Sequence, residues 1–160
     1  QPDVVPPREV ILTLAFLGAD SPKLTPALTK IIADANHPAR PAAVFALGKL
    51  GMKDSIKTIT NLVEDEDPLV RLASAWALLQ LDPSNPDYIA LAVPRLRQAL
   101  ERPDPRVRRQ ALETLRQLGP AGSAAADSVA QRMTQDDVPA LRGLAAAVLV
   151  DQQALRASHI

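Results

Sequence analysis

Residues 64–83 read EDEDPLVRLASAWALLQLDP, and residues 101–120, which begin 37 positions later, read ERPDPRVRRQALETLRQLGP. Nine of the twenty positions are identical in an ungapped alignment, including an Asp-Pro-x-Val-Arg start. A stretch that returns at such an interval is the signature of an array of similar structural units, so it bears on the fold more than any single motif.

Alignment on the arginine of this stretch adds a copy before it and a copy at the end of the chain. The aligned residues, at spacings of 31, 37 and 34, are Arg40, Arg71, Arg108 and Arg142. Small and branched residues follow each arginine with a 3.6-residue period, as Ser74, Ala77 and Leu78 do in the second copy. Each copy therefore predicts a helix with one apolar face.

The starts and ends of these helices are also written in the sequence. In Asp67-Pro68 and Asp104-Pro105, the Asp can accept a hydrogen bond from a free backbone N–H, and Pro suits the first helical position. Glycine commonly ends a helix, and Gly51 and Gly119 do so here. A second apolar helix follows each first one. We predict helices near 8–18, 21–35, 38–50, 54–65, 68–81, 86–101, 105–118, 123–134 and 139–157, and no strand.

The composition supports helices and excludes several classes of site. The chain is 47% hydrophobic but only 2% aromatic, whereas sheets favour aromatic and β-branched residues. Its 18 basic and 18 acidic side chains cancel, so no net field favours nucleic acid or an anionic membrane. The absence of cysteine excludes disulfides and thiolate ligands. The longest nearly uncharged apolar run, Val10 to Gly18, falls short of the roughly 20 residues that span a membrane.

The ends of the chain suggest its organisation. Because Gln1 is not a translation start, we expect a processed form or a piece of a longer protein, with residues 1–7 as a Pro-rich leader or linker. The remainder is expected to form a single domain at 8–160. Its repeats lie near 8–35, 36–66, 67–103 and 104–135, with a terminal helix at 138–157.

Helix pairs that recur every 31 to 37 residues predict an all-α fold, a right-handed α-solenoid of about four pairs. The stretches DPLVRLASAWALLQL and DPRVRRQALETLRQLG resemble HEAT repeats, of the short variety found in bacterial proteins and in phycobilisome lyases. The resemblance covers about residues 20–150. Tetratricopeptide and ankyrin signatures are missing. Pro41 and Val138 depart from the pattern and mark the first and last copies as edge or irregular repeats.

No set of residues indicates catalysis, a metal or a cofactor. The two histidines, His37 and His159, are too few for a metal site and have no carboxylates at helical spacing. We expect His37 to be structural, at a turn between repeats, and His159 to be mobile near the C-terminus. The iron-binding hydroxylases of the HEAT family carry paired His-Glu motifs, which this sequence lacks.

The resemblance also implies a role for the repeated arginine. In HEAT-like repeats this residue bonds acidic side chains of adjacent turns, so we favour an Arg–Asp ladder over a row of anion sites. The expected partners are Asp34, Asp65, Asp67, Asp104 and Asp137. Each pair would contribute little stability if it is exposed.

Charge is unevenly distributed along the chain. Residues 64–67 are all acidic, and the third repeat is rich in arginine: Arg95, Arg97, Arg102, Arg106, Arg108, Arg109 and Arg116. Nucleic-acid binding through this basic segment is the least favoured function. HEAT-like DNA glycosylases need aromatic and acidic residues in the groove, and the sequence offers no such set.

Two surfaces are candidate binding sites. The second helices line the concave face in this family, and their predicted outward residues are Lys30, Lys57, Asn61, Arg95, Gln98 and Gln131. A helical wheel places a second, apolar group opposite the core stripe of the first helices, as a convex patch of Pro41, Phe45, Leu72, Trp76 and Leu79. The alternatives are that the leader or another domain covers this patch, or that Trp76 turns sideways between helices.

We expect the protein to be a non-catalytic scaffold or docking domain for protein–protein interaction, part of a larger bacterial protein. Its partner is a protein that the sequence does not identify, with weak self-association as a further possibility. We expect a soluble protein of the bacterial cytoplasm or periplasm. The alternative is an accessory or lyase-like subunit of an enzyme system, which the resemblance to phycobilisome lyases implies.

Overall fold

A computed structural model describes residues 8–16 and 24–157 of the chain. Throughout these residues the regular structure is α-helix and 3-10 helix without any strand, which confirms the prediction of an all-α fold. The expected leader, His159 and the predicted helical residues 17–18 and 21–23 lie outside the described ranges. The α-helices are α1 (Arg8–Phe16), α2 (Leu24–Ala33), α3 (Arg40–Lys49), α4 (Ile56–Asn61), α5 (Pro68–Leu81), α6 (Pro86–Leu100), α7 (Pro105–Leu118), α8 (Ala126–Gln135) and α9 (Pro139–Ala157).

The first helices of the later copies have the predicted bounds: α5, α7 and α9 begin and end where the sequence places them. Each of these helices begins at a proline. Asp67 accepts a hydrogen bond from the backbone N–H of Leu69 at 2.8 Å, and Asp104 accepts one from Arg106 at 2.9 Å, so both predicted N-caps are confirmed. Gly51 and Gly119 follow helices with φ angles of 68° and 53°, in the left-handed region that favours glycine.

Two of the second helices are less regular than predicted. The segment 54–65 forms a 3-10 turn at Lys53–Ser55, the short helix α4, and another 3-10 turn at Leu62–Glu64. Its run of Ser, Ile, Thr and Asn has low helix propensity, so burial of Ile59 and Val63 holds it in place. The residues before the predicted helix at 123–134 are also helical: a 3-10 helix at Gly119–Ala125 leads into α8.

The chain divides into two compact units, Gln1–Pro83 and Ser84–Ile160. In the first unit, α3 packs against α1, α2 and α5. Four large side chains at the centre of this unit have no exposed surface: Leu28, Leu47, Ile59 and Leu78. The burial of Leu78 confirms the helical register predicted for α5.

In the second unit, α7 packs against α6 and α9, and α8 packs against α9. The 3-10 helix at Gly119–Ala125 contacts each of the four α-helices of this unit. The fully buried leucines of the unit are Leu96, Leu100, Leu112, Leu115 and Leu141. In both units, therefore, apolar residues at helical spacing meet in the interior, as the repeat pattern predicts.

The predicted exposed convex patch is wrong, because most of its residues are buried. Leu72, Trp76 and Leu79 are only 7%, 6% and 3% exposed, while Pro41 and Phe45 are half-buried. Phe45 and Trp76 are nevertheless neighbours, as predicted: their rings stack with centroids 4.2 Å apart. This arrangement agrees with the alternative that Trp76 turns between helices.

The physical reason lies in α5 and in Gly48. The helix α5 is apolar on nearly every side, and such a helix is buried all round rather than on one stripe. Gly48 of α3 lies directly against it. A Cβ atom built on Gly48 would be 2.6 Å from the Cβ of Ala77 and 3.1 Å from the Trp76 ring. The absence of a side chain at Gly48 therefore leaves room for the indole between the helices.

Candidate functional site: the surface of the second helices

The second helices carry the polar side chains that the sequence assigns to the concave face. We call them the second-helix surface: Lys30 on α2, Lys57 and Asn61 on α4, Arg95 and Gln98 on α6, and Gln131 on α8. All of them are exposed except Arg95, which is half-buried. The first three belong to the first unit and the others to the second.

Several of these side chains have no bonding partner of their own. The polar groups of Lys57, Asn61 and Gln98 make no hydrogen bond or ion pair with the described parts of the chain. Gln131 bonds the side chain of Gln135 one turn later, at 3.2 Å. Exposed groups in this state can bind another molecule without first breaking an internal contact.

The second unit contains a groove between α6 and α8. It has a volume of about 320 Å³ and is lined by Pro94, Arg97, Gln98, Glu101 and Ser128. This volume is near the lower limit of small-molecule pockets, which span ~300–1,000 Å³ and are mostly apolar. A groove with this polar lining suits one or two side chains of a peptide better than a buried cofactor.

The charged groups of this groove are available to a ligand. Arg97 donates from Nε to Ser128 Oγ at 3.4 Å, which leaves both terminal nitrogens of its guanidinium without a partner among the described residues. Glu101, one helical turn further along α6, is exposed and does not pair with Arg97. Of the residues that line this groove, the sequence analysis assigned Gln98 to the concave face and Arg97 to the basic segment. The groove could have been found from sequence spacing, because residues three or four apart lie on one face of a helix. On α6 these residues are Pro94, Arg97, Gln98 and Glu101.

The repeated arginines, in contrast, are used inside the structure. Arg108 is 4% exposed, and its guanidinium donates to both carboxylate oxygens of Asp136, at 2.8 and 3.0 Å. It also donates to Asp137 and to the carbonyls of Arg102 and Pro103, at 2.9 and 2.7 Å. This is a buried, bidentate ion pair with the remaining donors satisfied.

Arg40 makes the corresponding contacts in the first unit. It donates to both oxygens of Asp65, at 3.1 and 2.6 Å, and to the carbonyl of Ile32 at 3.1 Å. Arg71 and Arg142 donate to backbone carbonyls of the turn before their own helix, those of Asp65 and Asp136, each at 2.7 Å. The common feature of these four arginines is therefore a bond to a preceding carbonyl, which sequence reasoning missed.

The Arg–Asp ladder is confirmed in part and needs three corrections. Asp67 and Asp104 cap helices and do not bind the repeated arginines. Asp136, which the sequence analysis overlooked, is the main partner of Arg108, and Asp137 is an additional one. The Arg40–Asp65 and Arg108–Asp136 pairs are buried or nearly so rather than exposed: the side chains of Arg40 and Asp65 are 10% and 12% exposed. Asp65 and Asp136 each lie six residues before a repeated arginine. In the third repeat, Arg102 occupies this position.

Burial and hydrogen bonding act in opposite directions on these carboxylates. Burial tends to raise the pKa of Asp136, but hydrogen bonds from Arg108 and the Val138 N–H outweigh it, so the pKa lies below its ordinary value of 3.8. The pKa of Asp65 is lowered in the same way, with Arg40 and the Asp67 N–H as donors. The hydrogen bond to Asp136 also raises the pKa of Arg108. Both aspartates therefore stay ionised at neutral pH.

Three of the seven arginines in the basic segment of the third repeat pair with a local carboxylate. Arg108 is buried with Asp136, while Arg106 pairs with Asp104 at 2.8 Å and Arg116 with Asp151 at 2.7 Å. The side-chain hydrogen bond from Arg106, together with that from its backbone N–H, lowers the pKa of the Asp104 carboxyl that caps α7. A seven-arginine surface, as the sequence suggested, is therefore not what the structure presents.

The remaining sequence-based expectations concern His37, metals and membranes. The Nδ1 atom of His37 accepts a hydrogen bond from the Ala39 N–H at 3.1 Å, which gives this residue a structural place in the turn before α3. Within residues 8–16 and 24–157, no group of His, Asp and Glu side chains could hold a metal ion. None of the described helices is both long and apolar enough to cross a membrane.

Consecutive helix pairs with a recurring, carbonyl-bound arginine define an α-helical repeat protein. The family model for HEAT repeats matches residues 25–91 and 90–150, so the chain belongs to the HEAT-repeat family. It is also 36% identical over 92 residues to the phycocyanobilin lyase subunit alpha of Microchaete diplosiphon, an alignment that covers 56% of this chain. The chain spans 31% of the length of that relative.

Proposed function

We propose that the protein is a non-catalytic protein-binding module, a scaffold or docking domain of a larger bacterial protein, which binds protein through the exposed polar residues of the second helices within each unit. HEAT repeats typically mediate protein interactions. The observation that carries the proposal is the contrast between the two sets of helices. The repeated arginines of the first helices are bonded internally, whereas Lys57, Asn61 and Gln98 are exposed and unbonded within the described residues.

The locations of the side chains whose pKa is shifted support a non-catalytic role. Catalytic groups are commonly those whose pKa is perturbed in a cleft. Here the shifted carboxyls are Asp65, Asp136 and Asp104, each of which is explained by a structural arginine or a helix cap. They lie outside the groove between α6 and α8. A binding surface accounts for these features without a reaction.

The proposal can be tested by comparing the proteins that matched variants capture. Immobilised wild-type chain, Lys57→Glu and Gln98→Glu would be exposed to a lysate of the producing bacterium, and captured proteins quantified by mass spectrometry. We expect a partner whose recovery falls with both variants, because each changes the charge of an exposed second-helix position. The matched control is Arg109→Glu, a charge reversal on the exposed surface of α7. A partner lost only with the control would move the interface to the first helices.

A second candidate function is an accessory or lyase-like subunit of a chromophore-handling system. It is favoured by the likeness to a phycocyanobilin lyase subunit. Phycocyanobilin itself is the probe: this function predicts a change in its visible absorption on titration with the chain, and recovery of the pigment with the protein after gel filtration. A free pigment spectrum at a saturating protein concentration would eliminate it. Nucleic-acid binding has less support, because Arg106, Arg108 and Arg116 of the basic segment are paired with carboxylates of the chain.

A further inference from the structure

The groove between α6 and α8 presents two opposite charges in a fixed order. Arg97 and Glu101 are four residues apart on α6, on the same face of the helix and both exposed. Residues at this spacing often form an ion pair with each other. Here they do not, since Arg97 instead contacts Ser128 of α8 through Nε. The groove therefore holds a cation and an anion that have no oppositely charged partner among the described residues.

The contact with Ser128 orients the arginine for an external carboxylate. Because only Nε is bonded to Ser128, the two terminal nitrogens, which lie side by side in the planar guanidinium, present an edge that matches the two oxygens of a carboxylate. Gln98, adjacent to Arg97 in the chain, adds an exposed amide that can donate to and accept from a peptide backbone. The Pro94 ring supplies a small apolar surface at the other side.

The spacing of the two charges matches an extended peptide. Four residues of α-helix rise by ~6 Å, and two residues of an extended chain advance by ~6.6 Å. Side chains two apart in an extended chain also point to the same side. An extended segment that lies along α6 can therefore bring an acidic residue to Arg97 and a basic residue, two positions away, to Glu101.

We propose that this groove recognises an extended segment of the partner protein that carries an acidic and a basic residue separated by one residue. The inference rests on the proposed function and specifies the chemistry of the partner at one part of the second-helix surface. Charge complementarity selects this occupant: a segment with two acidic residues would meet Glu101, and one with two basic residues would meet Arg97. A lone C-terminal carboxylate would leave Glu101 unpaired.

The test uses the whole ¹⁵N-labelled chain and four capped peptides. The probe is Gly-Ser-Gly-Glu-Ala-Lys-Gly-Ser, and the others carry Lys-Ala-Lys, Glu-Ala-Glu or Ala-Ala-Ala in place of Glu-Ala-Lys. The signals to follow are the Arg97 Nε–Hε group and the Gln98 side-chain amide. We expect the Glu-Ala-Lys peptide to shift both signals and to bind on the order of tenfold more tightly than the Ala-Ala-Ala peptide.

Charge reversals should change the preference rather than only weaken it. Arg97→Glu leaves two acidic groups in the groove, so the preferred peptide should become Lys-Ala-Lys. Glu101→Arg should make it Glu-Ala-Glu. The control Arg109→Glu should keep the wild-type preference. Both groove positions are exposed, so unchanged backbone spectra away from α6 would show that the variants fold.

The proposal is overturned if all four peptides bind alike, if the preference survives Arg97→Glu, or if the shifts map elsewhere. Tighter binding of an Ala-Ala-Ala peptide with a free C-terminal carboxylate would also overturn it. These results are separable from the test of the proposed function. Loss of a captured partner with Lys57→Glu, together with equal binding of the four peptides, would reject the groove specificity and keep the protein-binding role. The reverse combination would keep the groove specificity and remove Lys57 from the docking site.

Discussion

The phenyl ring of Phe45 lies parallel to the indole of Trp76, with their centroids 4.2 Å apart and their planes inclined by 15°. Phe45 belongs to α3 and Trp76 to α5, so the stack joins the first helices of two consecutive repeats inside one unit. Stacked aromatic pairs contribute ~0.5–1.5 kcal/mol beyond the apolar area that they bury. The two rings that seemed to form an external binding patch thus stabilise the repeat array.

The only tryptophan of the chain reports on this stack. Because Trp76 is 6% exposed, we expect blue-shifted emission that acrylamide quenches weakly and that does not change with protein concentration. Unfolding in urea should shift the emission to the red. A red, readily quenched signal from the dilute native protein would show that the indole faces solvent and would restore the convex patch as a candidate interface.

Gly48 should tolerate no side chain, although alanine has the higher helix propensity. We expect Gly48→Ala to destabilise the protein by ~1–3 kcal/mol, because the new Cβ would lie 2.6 Å from the Ala77 Cβ and 2.7 Å from its Cα. Gly143→Ala is the matched control in α9, where no atom lies within 4 Å of the new Cβ. It should stabilise by ~0.5–1 kcal/mol in urea unfolding. Equal effects of the two substitutions would mean that α3 and α5 are further apart than described.

Removal of the charge on Asp136 should be costly. Breaking a buried ion pair by replacing one partner costs ~3–5 kcal/mol, and we expect Asp136→Asn to fall at the lower end because Asp137 also accepts from Arg108. Arg106→Ala provides the comparison, since its pair with Asp104 is on the surface. Chemical unfolding should show no measurable loss for that variant. A similar loss for both would contradict the assignment of Arg108–Asp136 as the structural pair.

Stability should fall in acid through the same aspartates. The pKa values of Asp65 and Asp136 are lower in the folded chain than their ordinary value of 3.8, so the unfolded state binds more protons as the pH falls. Their contribution is complete above the unfolded pKa and is lost as the pH drops through the folded one, that is, below about pH 4. Unfolding measured from pH 7 to pH 2 should show this slope. The double variant Asp65→Asn, Asp136→Asn should have a shallower one, and an unchanged slope would assign acid lability to other groups.

The core stripe of α5 gives a direct check of the helical register. Leu78 has no exposed surface, so Leu78→Ala should cost ~2–5 kcal/mol through lost burial and the cavity left behind. Leu69 lies in the first turn of the same helix and is 42% exposed, which makes Leu69→Ala the control. A loss below ~1 kcal/mol for Leu78→Ala would contradict the packing of this face.

Local rules of helix formation predicted much of the fold. The bounds of α5, α7 and α9 follow from prolines at the first helical position and from the end of the apolar period, both of which act within a few residues. The break-up of α4 was harder to foresee, because Ile and Thr are weak helix formers whose conformation depends on the packing of Ile59 and Val63. Tertiary contacts decide such segments.

Residues of the candidate site could be predicted only where the exposure of a side chain depends on its own helix and not on neighbouring helices. Lys57 and Gln98 lie opposite the apolar residues of their own helices, so a wheel places them outside. A helical wheel wrongly placed Trp76 on the surface, because a wheel assumes that each helix has one buried face. It contains no information about Gly48 on another helix, whose missing side chain leaves room for the indole ring. Asp136, the main partner of Arg108, was missed although the adjacent Asp137 was among the expected partners, since the choice depends on the path of the turn before α9.

Gly48 has a consequence for the exchange of repeats within the chain. The positions that correspond to Gly48 in the later copies are Leu79, Arg116 and Val150. A recombinant in which the third copy replaced the first would place a guanidinium stem against the indole of Trp76, although both copies share the same helical outline. The repeats are thus similar modules that are not interchangeable, and duplication or reordering of one copy would need compensating changes in its neighbour.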